Sequence, residues 1–177
     1  MKSNAVLCLL FCLILLLAAP GSAEETQQMA QAFVTRGSQK ISFLYPASCP
    51  IVDEGDLGIF VYQSSEDCFS MYIPKHGASG VEELHNNIGS AEKIIILSDD
   101  MQICAVHGDA NHRMYNLDIV EIGLNLADGS GLVVTVSCTY GHTEVYNLLL
   151  TVLDSITDTA LLEDWLNNTW IPYVSQS

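Results

Sequence analysis

The chain has 177 residues, 49% of them hydrophobic, and its 21 acidic and 6 basic side chains give a formal net charge of -15 at pH 7. Because so few cations cannot neutralise a phosphate backbone or an anionic membrane surface, this composition argues against nucleic-acid binding and against docking to anionic lipid. The length suits a single domain.

The N-terminus has the pattern of a secretory signal peptide. Lys2 supplies a positive charge, residues 5–19 form an unbroken apolar run, and residues 20–23 offer small side chains for cleavage before Glu24. Loss of residues 1–23 would change the formal charge from -15 to -16. The apolar run is shorter than a full bilayer span, so we expect a secreted or extracytoplasmic protein, with an uncleaved N-terminal anchor as the alternative.

The next segment, residues 24–39, is polar and weakly patterned, which predicts a flexible stretch before structure begins near Ile41. Beyond it, apolar and aromatic residues alternate in short runs between turn residues, and a capping box at Ser79–Glu82 predicts a short helix that ends at Gly89. The predicted strands are 41–45, 58–63, 69–73, 93–97, 101–107, 115–126 and 132–140.

One predicted strand shows a change of phase. Leu117 and Ile119 follow one alternation and Val120 and Ile122 follow the other, which predicts a β-bulge around Ile119-Val120. The Asp128-Gly129 pair that follows predicts a hairpin turn.

The C-terminal part of the chain is predicted to be helical. Apolar residues repeat at helical spacing over residues 145–156, and residues 161–166 suggest a short terminal helix. This order of elements predicts an α+β fold for a single domain, residues 40–177: a central antiparallel sheet packed by a short helix and a long C-terminal helix.

Four short sequences along the chain carry a family resemblance: Ile-Ser-Phe-Leu-Tyr-Pro at 41–46, Val-Glu-Glu-Leu at 81–84, His-Gly-Asp-Ala at 107–110 and Leu-Asp-Ser-Ile at 153–156. With them, residues 40–157 resemble the PsbP/DcrB-like superfamily. The resemblance implies an α/β sandwich built on an antiparallel sheet, and an extracytoplasmic or accessory binding protein of a kind without established enzymology.

Four cysteines lie outside the leader, and in an exported protein four cysteines allow three disulfide pairings. Cys49 and Cys68 lie in segments that flank the first predicted hairpin, so we expect them to form the bridge if one exists. Cys138 lies in the same strand alternation as apolar residues, so we expect a buried thiol there, and likewise at Cys104. No Cys-x-x-Cys motif supports a redox or zinc site.

Catalytic and cofactor motifs are missing from the sequence, and the best candidate for a metal site is weak. His107, Asp109 and His112 lie close together, and imidazole with carboxylate can bind a divalent metal ion, but the spacing fits no established ligand motif. Two acidic clusters, at residues 53–56 and 99–100, fit solvated turns better than calcium ligands or a pair of catalytic carboxylates.

Both tryptophans, Trp165 and Trp170, lie near the C-terminus together with Tyr173. They can form an exposed aromatic contact surface or pack the last helix against the sheet, and the helical spacing favours packing.

The sequence therefore predicts an exported, non-enzymatic domain that binds a protein or a small molecule outside the cytoplasm. The alternative is a secreted metal- or carboxylate-dependent hydrolase that uses His107, Asp109 and His112.

Overall fold

A computed structural model describes residues 27–88, 93–108 and 117–176 of the chain. Its strands are β1 (Met29–Arg36), β2 (Gln39–Pro46), β3 (Ile51–Asp53), β4 (Ile59–Tyr62), β5 (Cys68–Tyr72), β6 (Ile94–Ile96), β7 (Met101–His107), β8 (Leu117–Asn125) and β9 (Gly131–Thr139). Its α-helices are α1 (Gly80–Asn87), α2 (Glu144–Leu153), α3 (Ala160–Trp165) and α4 (Ile171–Val174), with a π-helical turn, Leu166–Trp170, between the last two.

The strands form two antiparallel sheets. β1 and β2 make a separate hairpin, and the other strands form one sheet in the order β3-β4-β5-β9-β8-β7-β6. Every pair of neighbours is antiparallel. The predicted α+β class, with a central antiparallel sheet packed by helices, is confirmed.

One face of the large sheet, here called the core face, packs against α2, the C-terminal helices and the β1–β2 hairpin. Val120 and Ile122 of β8 lie on this face and are fully buried. They share one hydrophobic cluster with Leu149 and Val152 of α2 and with Phe43 of β2. Burial of this apolar surface is the main stabilising contribution to the fold.

The opposite face, here called the outer face, carries α1. Ser79 caps this helix, since its Oγ accepts the N–H of Glu82 at 3.0 Å, as the capping box predicts. Glycines at the contact let the helix approach the sheet: a Cβ on Gly80 would collide with the main chain of β8, and a Cβ on Gly123 would collide with α1. Leu84 is fully buried between them.

The β8–β9 hairpin forms where Asp128-Gly129 predicts it. Gly129 takes a φ of 84°, which favours glycine, and Asp128 Oδ1 accepts the N–H of Ser130 at 2.9 Å. The predicted bulge in β8 is wrong. β8 pairs with β9 from Leu117 to Asn125 without interruption.

Structure also begins earlier than expected. The segment predicted to be flexible contains β1, which starts at Met29, and the first strand was expected only near Ile41. Ala32 and Val34 of β1 are buried in the core, but alanine gives only a weak strand signal in the sequence. Residues 1–26, with the predicted signal peptide, lie outside the described residues.

The tryptophans of the C-terminal segment pack rather than project. Trp165 and Trp170 are buried, and their rings stack with centroids 5.8 Å apart, whereas Tyr173 is exposed. Within the described ranges, none of the helices has both the length and the apolar composition that a bilayer crossing requires.

Candidate functional site

The structure describes one of the three residues suggested as metal ligands. His107 ends β7, whereas Asp109 and His112 lie outside the described residues. In the part of the chain that is described, no three histidine, cysteine or acidic side chains converge as a metal site would require.

His107 instead pairs with a residue that the sequence reading missed. His107 and Asp118 are direct cross-strand neighbours on β7 and β8, and His107 Nδ1–H donates to Asp118 Oδ1 at 2.5 Å. The Asp118 side chain is 1% exposed and that of His107 is 13% exposed. The other carboxylate oxygen, Oδ2, is buried with no hydrogen-bond partner among the described groups. Because a buried carboxylate is costly unless it is paired, Asp118 relies on His107.

Asp118 could have been found from the sequence. It lies in the same alternation as Val120 and Ile122, which face the core, so it is a lone acidic residue at a core position. Acidic residues are almost never fully buried unless they are paired, so this position predicts a partner. The apolar alternation changes phase at Ile119-Val120 because Asp118 occupies a core position where the alternation would have an apolar residue.

The polar groups continue across the sheet and into the helices. On the far side of Asp118, Cys138 of β9 is its cross-strand neighbour, and Cys138 Sγ lies 3.5 Å from Tyr146 Oη of α2. Trp170 Nε1–H donates to the same hydroxyl at 2.7 Å. This chain of contacts ties the sheet, α2 and the C-terminal segment together at one end of the molecule.

Cys138 is chemically inert in this setting. Its side chain is fully buried, and burial raises the pKa of the thiol to about 11, with a smaller contribution from the Asp118 charge. Since the thiolate is the nucleophilic form, Cys138 is a protonated thiol at neutral pH and fits the buried thiol predicted from its phase.

A second histidine–aspartate pair lies at the same end of the sheet. Asp67, in the β4–β5 loop, accepts the N–H of Thr139 at 2.9 Å and a hydrogen bond from His142 Nδ1 at 2.9 Å. Burial alone would raise the pKa of Asp67, but these bonds, with a third from Ser64, lower it below its ordinary value. The bond to Asp67 and its negative charge raise the pKa of His142. This pair fastens the β4–β5 loop to the end of β9.

The possible bridge between Cys49 and Cys68 is not formed, and both thiols are free in the structure. Tyr62 of β4 explains why: it pairs with Cys68 on one side, and its N–H donates to Pro50 O on the other. Two strand spacings, roughly 10 Å, therefore separate the two cysteines, whereas a disulfide needs Cα atoms within roughly 7 Å. Burial raises the pKa of both thiols.

The acidic cluster at residues 53–56 forms a turn, as predicted. Asp53 Oδ1 accepts the N–H of Gly55 at 2.8 Å, which closes the loop between β3 and β4.

The outer face of the sheet has more accessible side chains than the core face. Away from α1 it presents half-buried Phe60 and Tyr62 of β4, whose ring centroids lie 6.4 Å apart, and exposed Val52 and Ile119. At the end of β5, burial raises the pKa of Tyr72. A hydrogen bond from Asn87 and the charge of Arg36 oppose the rise, and the carboxylates of Glu83 and Glu121 add to it. The face therefore combines apolar and aromatic groups with negative charge.

Three of the described positive charges lie toward the β1–β2 hairpin, and one of them, Arg36, also acts on Tyr72. Arg36 and Lys75 line one depression at the β1–β2 turn, where Arg36 also donates to Ile73 O at 2.8 Å, and Lys40 lies over the ring of Phe33. This cationic end is opposite to the end of the sheet that holds the two histidine–aspartate pairs.

No family model, curated protein or solved structure matches the chain.

Proposed function

We propose that the chain is an exported, non-enzymatic binding domain of the PsbP/DcrB-like kind that holds a protein partner on its outer face, outside the cytoplasm. The observation that carries the proposal is the outer face itself. Helices and a hairpin cover the core face, whereas the outer face carries α1 alone among the described helices and leaves Phe60, Tyr62, Val52 and Ile119 accessible.

The chemistry of this face favours a cationic protein as the partner. Aromatic side chains anchor protein interfaces because they bury a large area with little loss of conformational entropy. Two carboxylates, Glu83 and Glu121, act on Tyr72 against the single positive charge of Arg36, and the chain as a whole carries -15. Complementary charge speeds association and excludes acidic competitors.

The test compares a face variant with a matched control. The double variant Phe60→Ser/Tyr62→Ser alters the outer face, and Leu44→Ser alters an exposed apolar residue of β2 on the other side of the molecule. Immobilised wild-type protein and the control should retain the same basic protein from the native extracellular or envelope fraction. The face variant should retain roughly tenfold less, and salt should elute the partner. Equal retention by all three proteins would refute the proposal.

The hydrolase alternative draws support from one observation. The bond from His107 Nδ1–H to Asp118 leaves Nε2 as the ring atom that can bind a metal ion or accept a proton, an arrangement common in carboxylate-supported metal sites. Equilibrium dialysis with zinc tests this candidate together with Asp109 and His112. Binding no tighter than that of the His107→Ala/His112→Ala variant would remove it.

A further inference from the structure

The two edges of the large sheet differ in their protection. At one edge, β3 follows Pro50 and contains Asp53, and both features hinder pairing with another strand. At the other edge, β6 consists of Ile94, Ile95 and Ile96 and contains neither proline nor charge. Three consecutive β-branched residues favour an extended strand, so β6 is suited to pairing on the side where no described strand lies.

The main chain of β6 presents hydrogen-bonding groups on that side. Leu97 N–H donates to Met101 O at 3.1 Å, toward β7. Main-chain groups of successive residues point to opposite sides of a strand, so Ile95 also faces β7, and Ile94 and Ile96 direct their N–H and C=O groups outward. No described strand pairs with them there.

The side chains of β6 are also incompletely covered. Ile96 is 67% exposed and lies on the outer face beside Ile94, whereas half-buried Ile95 lies on the core face opposite Ile103. A strand added at this edge would cover Ile96 and satisfy the outward main-chain groups together.

We propose that β6 is a dimerisation edge, at which two copies of this chain pair their β6 strands antiparallel about a two-fold axis at Ile95. In this register Ile94 of each copy lies opposite Ile96 of the other, so the outward groups form four hydrogen bonds, and the two Ile95 residues meet at the axis. The two outer faces become one continuous surface, so a dimer presents two copies of the proposed binding face. The dimer itself does not depend on that function.

Charge supports a second copy as the occupant. Lys93 precedes β6 and Asp99 follows it in the turn before β7. In the proposed register Lys93 lies opposite Leu97 of the second copy, two residues from Asp99 of that copy, which a lysine side chain can reach along the diagonal. Two such pairs would form and would offset part of the repulsion between two acidic chains.

The pairing is short, so the dimer is weak. Three residues from each copy bury less area than a standard interface, and self-association is expected at about 100 µM. The test is analytical ultracentrifugation of protein purified after expression of the full-length sequence. Wild type should shift from monomer to dimer across this range, and Ile96→Lys should remain monomeric. Leu57→Lys, a control near the opposite edge at a residue that is 73% exposed, should dimerise like wild type.

Two further experiments test the register. Ile95→Cys should form a disulfide-linked dimer under mild oxidation, beyond the background of the native cysteines, because the two residues meet at the axis.

Lys93→Asp and Asp99→Lys should each weaken the dimer, and the two together should restore it. A wild type that stays monomeric up to about 1 mM, or an Ile96→Lys variant that dimerises like wild type, would overturn the proposal. Neither result would affect the test with Phe60 and Tyr62.

Discussion

The described residues include two histidine–aspartate pairs at one end of the large sheet, built in different ways. His107 and Asp118 lie on adjacent strands and are 13% and 1% exposed. His142 and Asp67 join two loops, and the histidine is 50% exposed while the aspartate is 8% exposed. In both pairs the carboxylate is buried, so the comparison shows what each histidine contributes to a buried negative charge.

The difference lies in the other partners of each carboxylate. Asp67 accepts hydrogen bonds from Thr139 N and Ser64 Oγ as well as from His142, so the loss of the histidine leaves two bonds in place. Asp118 Oδ1 bonds to His107, and Oδ2 has no partner in the described part of the chain. His107 is therefore essential to its carboxylate, whereas His142 is one support among several.

The largest expected effect comes from breaking the buried pair. His107→Leu keeps the volume of the side chain but leaves Asp118 buried without its bonded partner. Removal of one member of a buried pair should lower the free energy of unfolding by about 3 kcal/mol. Urea denaturation at neutral pH measures the change.

The control for this prediction replaces both members. In His107→Leu/Asp118→Leu no charge remains to be buried, so the double variant should recover to within about 1 kcal/mol of wild type. A double variant as unstable as His107→Leu would show that packing at this site, rather than the uncompensated carboxylate, determines the loss.

The same pair explains where sequence reasoning failed. The change of phase near Ile119 predicts an extra residue, because an apolar alternation that switches faces needs a bulge. The structure keeps the strand regular and places Asp118 at the core position, with Leu117 and Ile119 on the outer face. A single sequence shows the break in pattern but not the partner, because His107 comes from a different strand and meets Asp118 only through the β7–β8 register.

Other features were predictable because they are local. The turn at Asp128-Gly129, the cap at Ser79 and the antiparallel α+β class each depend on neighbouring residues or on the order of elements. Two other features are not local, because they depend on which strands become neighbours. These are the formation of β3 and the position of Cys49 relative to Cys68. Cys49 and Cys68 do not form the possible disulfide because β4 lies between the two segments.

The smallest expected effect comes from the exposed pair, and it depends on pH. Since Asp67 raises the pKa of His142, with smaller contributions from Glu144 and Glu66, protonated His142 adds stability at pH values below its ordinary pKa of about 6.5. That stability is lost as the pH rises through the raised value. Asp67 has a lowered pKa, so its own contribution persists until the pH falls through that lower value.

The difference in unfolding free energy between wild type and His142→Ala should be largest at about pH 5.5 and should shrink by about pH 9. In an Asp67→Asn background the pH dependence should shrink to the smaller contribution of Glu144 and Glu66. If the difference stays constant from pH 5.5 to 9, His142 stabilises the fold through the hydrogen bond of its neutral ring. The two histidine–aspartate pairs would then differ in how deeply they are buried, and not in the contribution that a histidine charge makes to stability.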